Sequence, residues 1–177
     1  MGLTPATNRQ IPDHSMFDYF NKQTYLGNSY VISNLVNLSG TSETGILLIE
    51  NPAVTTTAFP VQKSIFVTLR RYTSDLEEVL INNYFNPTIA SVSTKTTPVN
   101  LRPASPNTSI AKCYTNGQFS TSGNGTVFGQ IGCASSFYLV QENTLVFILD
   151  PGQTALFTAT ALTANTNLYS VISWYEI

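Results

Sequence analysis

Apolar and polar residues alternate with a period of two along most of the chain, in short runs separated by turn residues. Examples are the runs YVISNLVNLSG, TGILLIENP and TALFTATAL. A period of two over such short runs predicts β-strands, and we expect roughly nine to eleven of them. No internal repeat of fixed period is visible, which counts against a propeller or a solenoid. The pattern therefore predicts an all-β protein, namely an antiparallel β-sandwich of the jelly-roll type.

The first part of the chain lacks this alternation. Residues 1–24 have mixed polarity, two prolines and no sustained period. We interpret them as an extended N-terminal arm with one helical turn around Ser15 to Phe20, and the short MFDYF cluster as its apolar anchor. The jelly-roll domain is then expected to cover residues 25–177.

Some local patterns predict particular faces and turns. In SIFVTLRRYTS the alternation places Ile65, Val67 and Leu69 on one face and Phe66, Thr68 and Arg70 on the other. The expected turns include one at Asn116-Gly117, which favours a hairpin, and one at Asp150-Pro151-Gly152.

One stretch, SDLEEVLINNYF, is open to two interpretations. Ser74 and Glu77 have the spacing of a helix capping box, and Leu76, Val79 and Leu80 would share a helical face. A short helix and a strand both remain open there.

Charge is sparse, because charged residues make up 10% of the chain against about 25% in an average soluble domain. The net charge is −2, and the basic residues are scattered except at Arg70-Arg71. Binding to nucleic acid needs clustered Lys and Arg, so we expect none. No apolar run is long enough for a membrane helix, and no secretory signal peptide is visible. Cys113 and Cys133 either pair or remain two half-buried thiols, and we favour the thiols.

The residues that usually carry chemistry do not form a recognisable site. His14 is the only histidine and lies in the arm, so neither a hydrolase triad nor a zinc site is supported. Asp75, Glu77 and Glu78 are best interpreted as a solvated loop or helix start, although a calcium site is an alternative. Trp174 is expected in the core rather than as a sugar platform. We therefore predict no catalytic residue, no cofactor and no metal.

The last strand, within TNLYSVISWYEI, is apolar on both faces. Leu168, Ile172 and Trp174 share one face with Ser170 and Glu176, whereas the other face carries Tyr169, Val171, Tyr175 and Ile177 with Ser173. The second face needs cover, because a half-buried strand normally alternates apolar with polar residues. The arm, plain exposure to solvent, or copies of the chain around a symmetry axis are the three explanations. We favour the last and predict an oligomer interface formed by Tyr169, Val171, Tyr175 and Ile177.

The stretch NTLVFILDPGQTALFTATALTANTNLYSVISWYEI resembles the end of a TNF/C1q-like jelly roll. That resemblance implies a homotrimer with the last strand near its axis. The chain is also similar to single jelly-roll domains in viral particles, such as fibre heads and capsid-associated proteins. No motif allows functional residues of either family to be transferred. The secretory or anchoring segment and the collagen-like stalk of TNF/C1q relatives have no counterpart, which favours a virion component.

The resulting hypothesis is a non-enzymatic structural protein of a virion that forms a homotrimer. Its partners would be other virion proteins or a host surface ligand, with no nucleic acid and no insertion into a membrane. One alternative is a secreted TNF/C1q-like ligand or carbohydrate-binding module. A second alternative is a β-sandwich glycosidase, which would need only two carboxylates.

Overall fold

A computed structural model describes residues 16–53, 63–76, 78–89, 91, 94–117, 126–133, 141–143, 147–163 and 165–177. Within these residues the chain forms one helix and twelve strands. The elements are α1 (Met16–Tyr25), β1 (Ser29–Leu38), β2 (Thr44–Glu50), β3 (Ile65–Ser74), β4 (Val79–Phe85), β5 (Thr94–Thr96), β6 (Val99–Asn100), β7 (Lys112–Gly117), β8 (Thr126–Cys133), β9 (Gln141–Asn143), β10 (Phe147–Leu149), β11 (Thr154–Ala161) and β12 (Thr166–Glu176).

The strands form two six-stranded sheets that pack against each other. Sheet A has the order β10-β3-β12-β1-β6, with β9 also paired to β3, and sheet B has the order β5-β7-β2-β11-β4-β8. Every pairing is antiparallel. The chain crosses between the sheets after β1, β2 and β3, and β12 then inserts between β1 and β3 while β11 inserts between β2 and β4. This is the strand order of a jelly roll, and the predicted antiparallel β-sandwich is confirmed.

The core lies between the two sheets. On β12, every second side chain from Leu168 to Glu176 is buried, and Trp174 is the largest side chain that is fully enclosed. The predicted inward face of the last strand is therefore confirmed, as is the placement of Trp174 in the core. The inward positions of sheet B, such as Ile49, Ile81 and Phe157, complete this apolar layer.

A β-bulge in β3 breaks the predicted alternation of that strand after Val67. Leu69 pairs with Ser173, but Val67 already pairs with Trp174, so β3 carries one extra residue. The bulge shifts the alternation by one position. Ile65 and Val67 share one face, as predicted, and that face points inward. Arg70 lies on the same inward face and is only 1% exposed, whereas Leu69 is partly exposed. The prediction was thus wrong for Leu69 and Arg70.

Arg70 lies in the sandwich interior beside an aromatic ring. Its guanidinium carbon is 5.5 Å from the ring centroid of Phe147, a geometry that favours a cation over an aromatic face. Burial lowers the pKa of Arg70 from its ordinary value.

The stretch that was open between helix and strand is a strand. Val79–Phe85 forms β4, whose ladder runs along β11 on one side and β8 on the other. Hydrogen bonds on both edges outweigh a weak local helical preference, so the helical interpretation is wrong for these residues. Glu77, which would complete the capping box, lies outside the described residues.

The other local predictions have mixed outcomes. The turn after Asp150 is confirmed, since Gly152 has φ +87° and Gln153 N donates to Asp150 O at 3.0 Å. Cys113 and Cys133 are buried free thiols, as favoured, and burial raises the pKa of both, most of all for Cys113. The hairpin turn expected at Asn116-Gly117 is wrong, because both residues lie in β7 and Gly117 pairs with Gly45 of β2.

Candidate interaction surface

The outer face of sheet A, which faces away from the core, contains the predicted interface. Its central strand is β12, with β1 on one side and β3 on the other. Tyr169 lies between Leu35 and Thr73 in register, and Tyr175 lies between Ser29 and Phe66. A central strand flanked on both sides is held rigidly, because its backbone groups are hydrogen-bonded along both edges.

One of the four predicted interface residues is covered by its own chain. Tyr175 is only 5% exposed. Its ring stacks on Phe66 at 4.8 Å with an interplanar angle of 7°, and its centroid is 6.4 Å from that of Phe20 in α1. Tyr175 is therefore covered by Phe66 and by α1. This agrees with one of the three explanations for the second face, namely that the arm covers it.

The other three predicted residues lie nearer the solvent. Tyr169 and Ile177 are each 42% exposed, and Val171 is partly buried. Ile177 is also fixed through its backbone, because its N–H donates to Ser64 O at 3.2 Å and its carbonyl accepts from Ser64 N at 2.7 Å. Whether these side chains form an oligomer interface remains a prediction.

Several exposed apolar residues on this sheet were not predicted as part of the surface. Leu35 is 49% exposed, Val99 is 64% exposed, and Ile148 is 46% exposed. Register places Leu35 opposite Tyr169, Val99 opposite Val31, and Ile148 opposite Phe66. The alternation within β1 places Leu35 on the outer side, but only the pairing register shows that these residues share a face with Tyr169.

The outer face of sheet A is almost uncharged. Among its described strand positions, Arg71 and Glu142 are the charged residues, and they lie opposite each other in the β3–β9 ladder; the rest are apolar residues or Ser, Thr and Asn. A surface of this composition has little electrostatic repulsion to overcome when a second uncharged surface approaches it.

Helix α1 is held on this sheet by a defined terminus. Gly27 has φ +76°, and its N–H bonds to Thr24 O while the N–H of Asn28 bonds to Gln23 O, which is the Schellman pattern of helix ends. The helix covers ten residues, whereas one turn was predicted for the arm.

A loop after β6 fastens the end of α1 to the sandwich. Arg102 Nη1 donates to Tyr25 O at 2.7 Å, and Asn107 Nδ2 donates to Gly27 O at 3.3 Å. Asn100 Nδ2 also donates to Gly27 O at 2.9 Å. The end of the helix that covers Tyr175 is therefore a fixed part of the surface.

A buried carboxylate fixes the end of β12 on the inner face of sheet A. Glu176 is fully buried and accepts hydrogen bonds from Ser109 Oγ, from Ile110 N at 3.0 Å and from Trp174 Nε1 at 3.1 Å. Burial, with a further contribution from the Glu176 charge, raises the pKa of Tyr30 to about 12. These contacts explain why the last strand stays paired to its final residues although chain ends usually fray.

Sheet B carries a second polar cluster, which was not predicted, on its outer face. Glu43 Oε1 accepts from Asn82 Nδ2 at 3.0 Å, from Tyr84 OH at 2.9 Å and from Thr158 Oγ1. Gln130 Nε2 in turn donates to Asn82 Oδ1 at 2.9 Å. Burial would raise the pKa of the Glu43 carboxyl, but the hydrogen bonds together lower it.

Asp75 has a separate network at the end of β3. Its carboxylate accepts from Thr166 Oγ1 at 2.7 Å and from the N and Nδ2 of Asn167 at 2.8 and 2.7 Å. These bonds link the end of β3 to the start of its neighbouring strand β12.

Among the residues that the structure describes, no group of three or more His, Cys, Asp or Glu side chains is placed to hold a metal ion. The one helix among the described residues, α1, is not long and apolar enough to cross a membrane.

No family model matches the chain, and the comparisons with curated proteins and with solved structures also returned no match. The resemblance to TNF/C1q-like and viral jelly rolls therefore stays a prediction.

Proposed function

We propose that the protein is a non-enzymatic structural subunit of a viral particle that assembles as a homotrimer through the outer face of sheet A. A capsid neighbour or a host ligand would be bound elsewhere on the trimer. The observation that carries the assembly is the exposed apolar pair Leu35 and Tyr169, which face each other across β1 and β12. The particle context rests on the resemblance of the C-terminal stretch.

The apolar character of this face supports assembly. Leu35, Tyr169, Val99 and Ile148 are large side chains with substantial exposure on one sheet. Burying one such side chain contributes roughly 1.5–3 kcal/mol. Tyrosine suits a contact between subunits because its ring buries a large area while its hydroxyl finds a polar partner. The exposed residues therefore supply the kind of surface that subunit contacts use.

The rigidity of this face also supports assembly. Its central strand is paired on both edges, its last residues are fixed through Ser64 and Glu176, and α1 is fastened beside it. A preformed surface loses little conformational entropy when it associates, so more of the gain from burial appears as affinity.

The test is the solution mass of the purified chain by light scattering. A homotrimer has a mass of about 58 kDa, three times the 19.3 kDa of one chain. We expect the trimer mass for the native protein and the single-chain mass for Leu35→Asp/Tyr169→Asp, because two carboxylates would be buried in each contact.

The matched control is Leu162→Asp, which places a carboxylate at a similarly exposed leucine just after β11. It should keep the trimer mass. A native protein of single-chain mass, or a Leu35→Asp/Tyr169→Asp variant that still has the trimer mass, would contradict the proposal.

A further inference from the structure

A row of side chains crosses all six strands on the outer face of sheet B. From edge to edge the register aligns Lys95, Tyr114, Leu48, Leu156, Tyr84 and Val127. Leu48 and Leu156 are buried although they point away from the core, because Tyr84, Tyr114 and Ile89 pack against them. Tyr84 and Tyr114 are three strand spacings apart, which is about 14 Å.

The tyrosines are fixed as well as aligned. Tyr84 donates its hydroxyl hydrogen to Glu43, and both rings lie against buried leucines while remaining partly exposed. Ile89 reaches the row because the chain turns back after β4 at Asn86, which has φ +47°. The result is a rigid apolar strip, formed by Tyr114, Leu48, Leu156, Tyr84 and Ile89, with a tyrosine ring near each end.

The polar groups beside Tyr84 have a defined direction. In this cluster the amide of Gln130 donates to Asn82, and the amide of Asn82 donates to Glu43. Among the described residues, Glu43 Oε2 and Gln130 Oε1 have no hydrogen-bond partner. The edge of the strip therefore presents acceptors, which match a ligand that brings hydrogen-bond donors.

We propose that this strip binds a neutral oligosaccharide. A pyranose ring has an apolar face of C–H groups and a rim of hydroxyl donors. The C–H faces would lie on Tyr84 and Tyr114, and the hydroxyls would donate to Glu43 Oε2 and Gln130 Oε1. The separation of the two rings exceeds a single pyranose, so the ligand is a chain of sugars rather than one sugar.

The charges around the strip favour a neutral ligand over a cationic one. Glu43 lies at the Tyr84 end, but Lys95 faces Tyr114 across β5 and β7 at the other end. Lys112 lies on the same face and pairs with Glu50 at 3.2 Å. A cationic peptide that reached both rings would meet the Lys95 ammonium, whereas an uncharged sugar chain meets no opposing charge.

The experiment applies the labelled full chain to an array of neutral and acidic oligosaccharides, with polylysine on the same surface. We expect at least one class of neutral oligosaccharide to be bound. Binding of the best array compound is then measured by calorimetry for Tyr114→Leu and Gln130→Ala. Tyr114→Leu keeps an apolar cover over Leu48 but removes the ring, and Gln130 is exposed, so both variants should keep the native melting temperature.

At least tenfold weaker binding in each of these variants, with Leu162→Asp unchanged as the control, would support the site. Absence of any bound oligosaccharide, binding to polylysine instead, or native affinity in both variants would overturn it. The site does not depend on the trimer, so the array is repeated with Leu35→Asp/Tyr169→Asp. The same sugar specificity in that variant is expected, and its loss would overturn an independent site on sheet B.

Discussion

The two sheets differ in how far the apolar side chains on their outer faces are covered by the same chain. On sheet B, Leu48 and Leu156 point outward, yet they are buried under Tyr84, Tyr114 and Ile89 of the same chain. On sheet A, Tyr175 is covered by α1 and Phe66, whereas Leu35 opposite Tyr169 is about half exposed.

This difference separates side chains that stabilise the fold from side chains that are available for contact with another molecule. An outward leucine that is covered by its own chain contributes to folding in the same way as a core residue. An outward leucine that is exposed in the single chain contributes little to folding and is available for contact with another molecule. Similar residue types on the two outer faces thus contribute differently to folding, because Leu48 and Leu156 are covered within the chain whereas Leu35 is not.

The comparison is tested most strongly by truncating one leucine on each face. Leu156→Ala should reduce the free energy of unfolding by about 2–5 kcal/mol because it leaves a cavity under Tyr84. Leu35→Ala should change the free energy of unfolding of the single chain by less than about 0.5 kcal/mol. Urea unfolding at protein concentrations low enough to leave only single chains measures both. Similar losses for the two variants would show that Leu35 is also covered within its own chain.

A second test concerns the helix that covers part of sheet A. An alanine at Gly27 would have its Cβ 2.8 Å from Ser105 Cβ, and Ser105 Oγ is fixed because it accepts from Asn107 N. Gly27→Ala should therefore cost about 1–3 kcal/mol beyond the strain of its positive φ.

Gly40→Ala is the matched control, because Gly40 also has a positive φ, +65°, but no atom lies within 4 Å of its added Cβ. The difference between the two melting temperatures isolates the contact with Ser105. Equal melting temperatures would mean that the end of α1 moves away without cost.

A smaller effect is expected from pH at the cluster on sheet B. The folded pKa of Glu43 is lower than its ordinary value of 4.5, because the hydrogen bonds from Thr158, Asn82 and Tyr84 outweigh the opposing effect of burial. The stabilisation is then complete above pH 4.5 and is lost as the pH falls through the folded pKa. Glu43 is exposed, so its share is at most about 1 kcal/mol.

In Glu43→Gln, unfolding free energy measured from pH 6 to pH 2 should therefore fall less steeply than in the native chain. Glu50→Gln, at the surface ion pair with Lys112, should keep nearly the native stability at pH 7. An unchanged pH profile in Glu43→Gln would show that the ionisation of Glu43 contributes nothing to stability in this pH range.

The alternation of residues was enough to predict the β-sandwich, the inward face of β12 and the turn after Asp150. These features depend on neighbours along the chain, since a period of two sorts side chains between two faces and Asp-Pro-Gly favours a turn wherever it occurs. The same local information determined that Trp174 belongs to the core, because it lies in step with Leu168 and Ile172.

Only the tertiary structure decided the rest. One extra residue in β3 buried Arg70 instead of Leu69, and hydrogen bonds from two neighbouring strands made β4 a strand where a helix was also open. The Glu43 cluster joins residues from β4, β8 and β11 that are far apart in the sequence, so no local pattern marks it. Registers, bulges and the cover of an outer face arise from pairing between distant segments, and that pairing is what the order of residues alone leaves open.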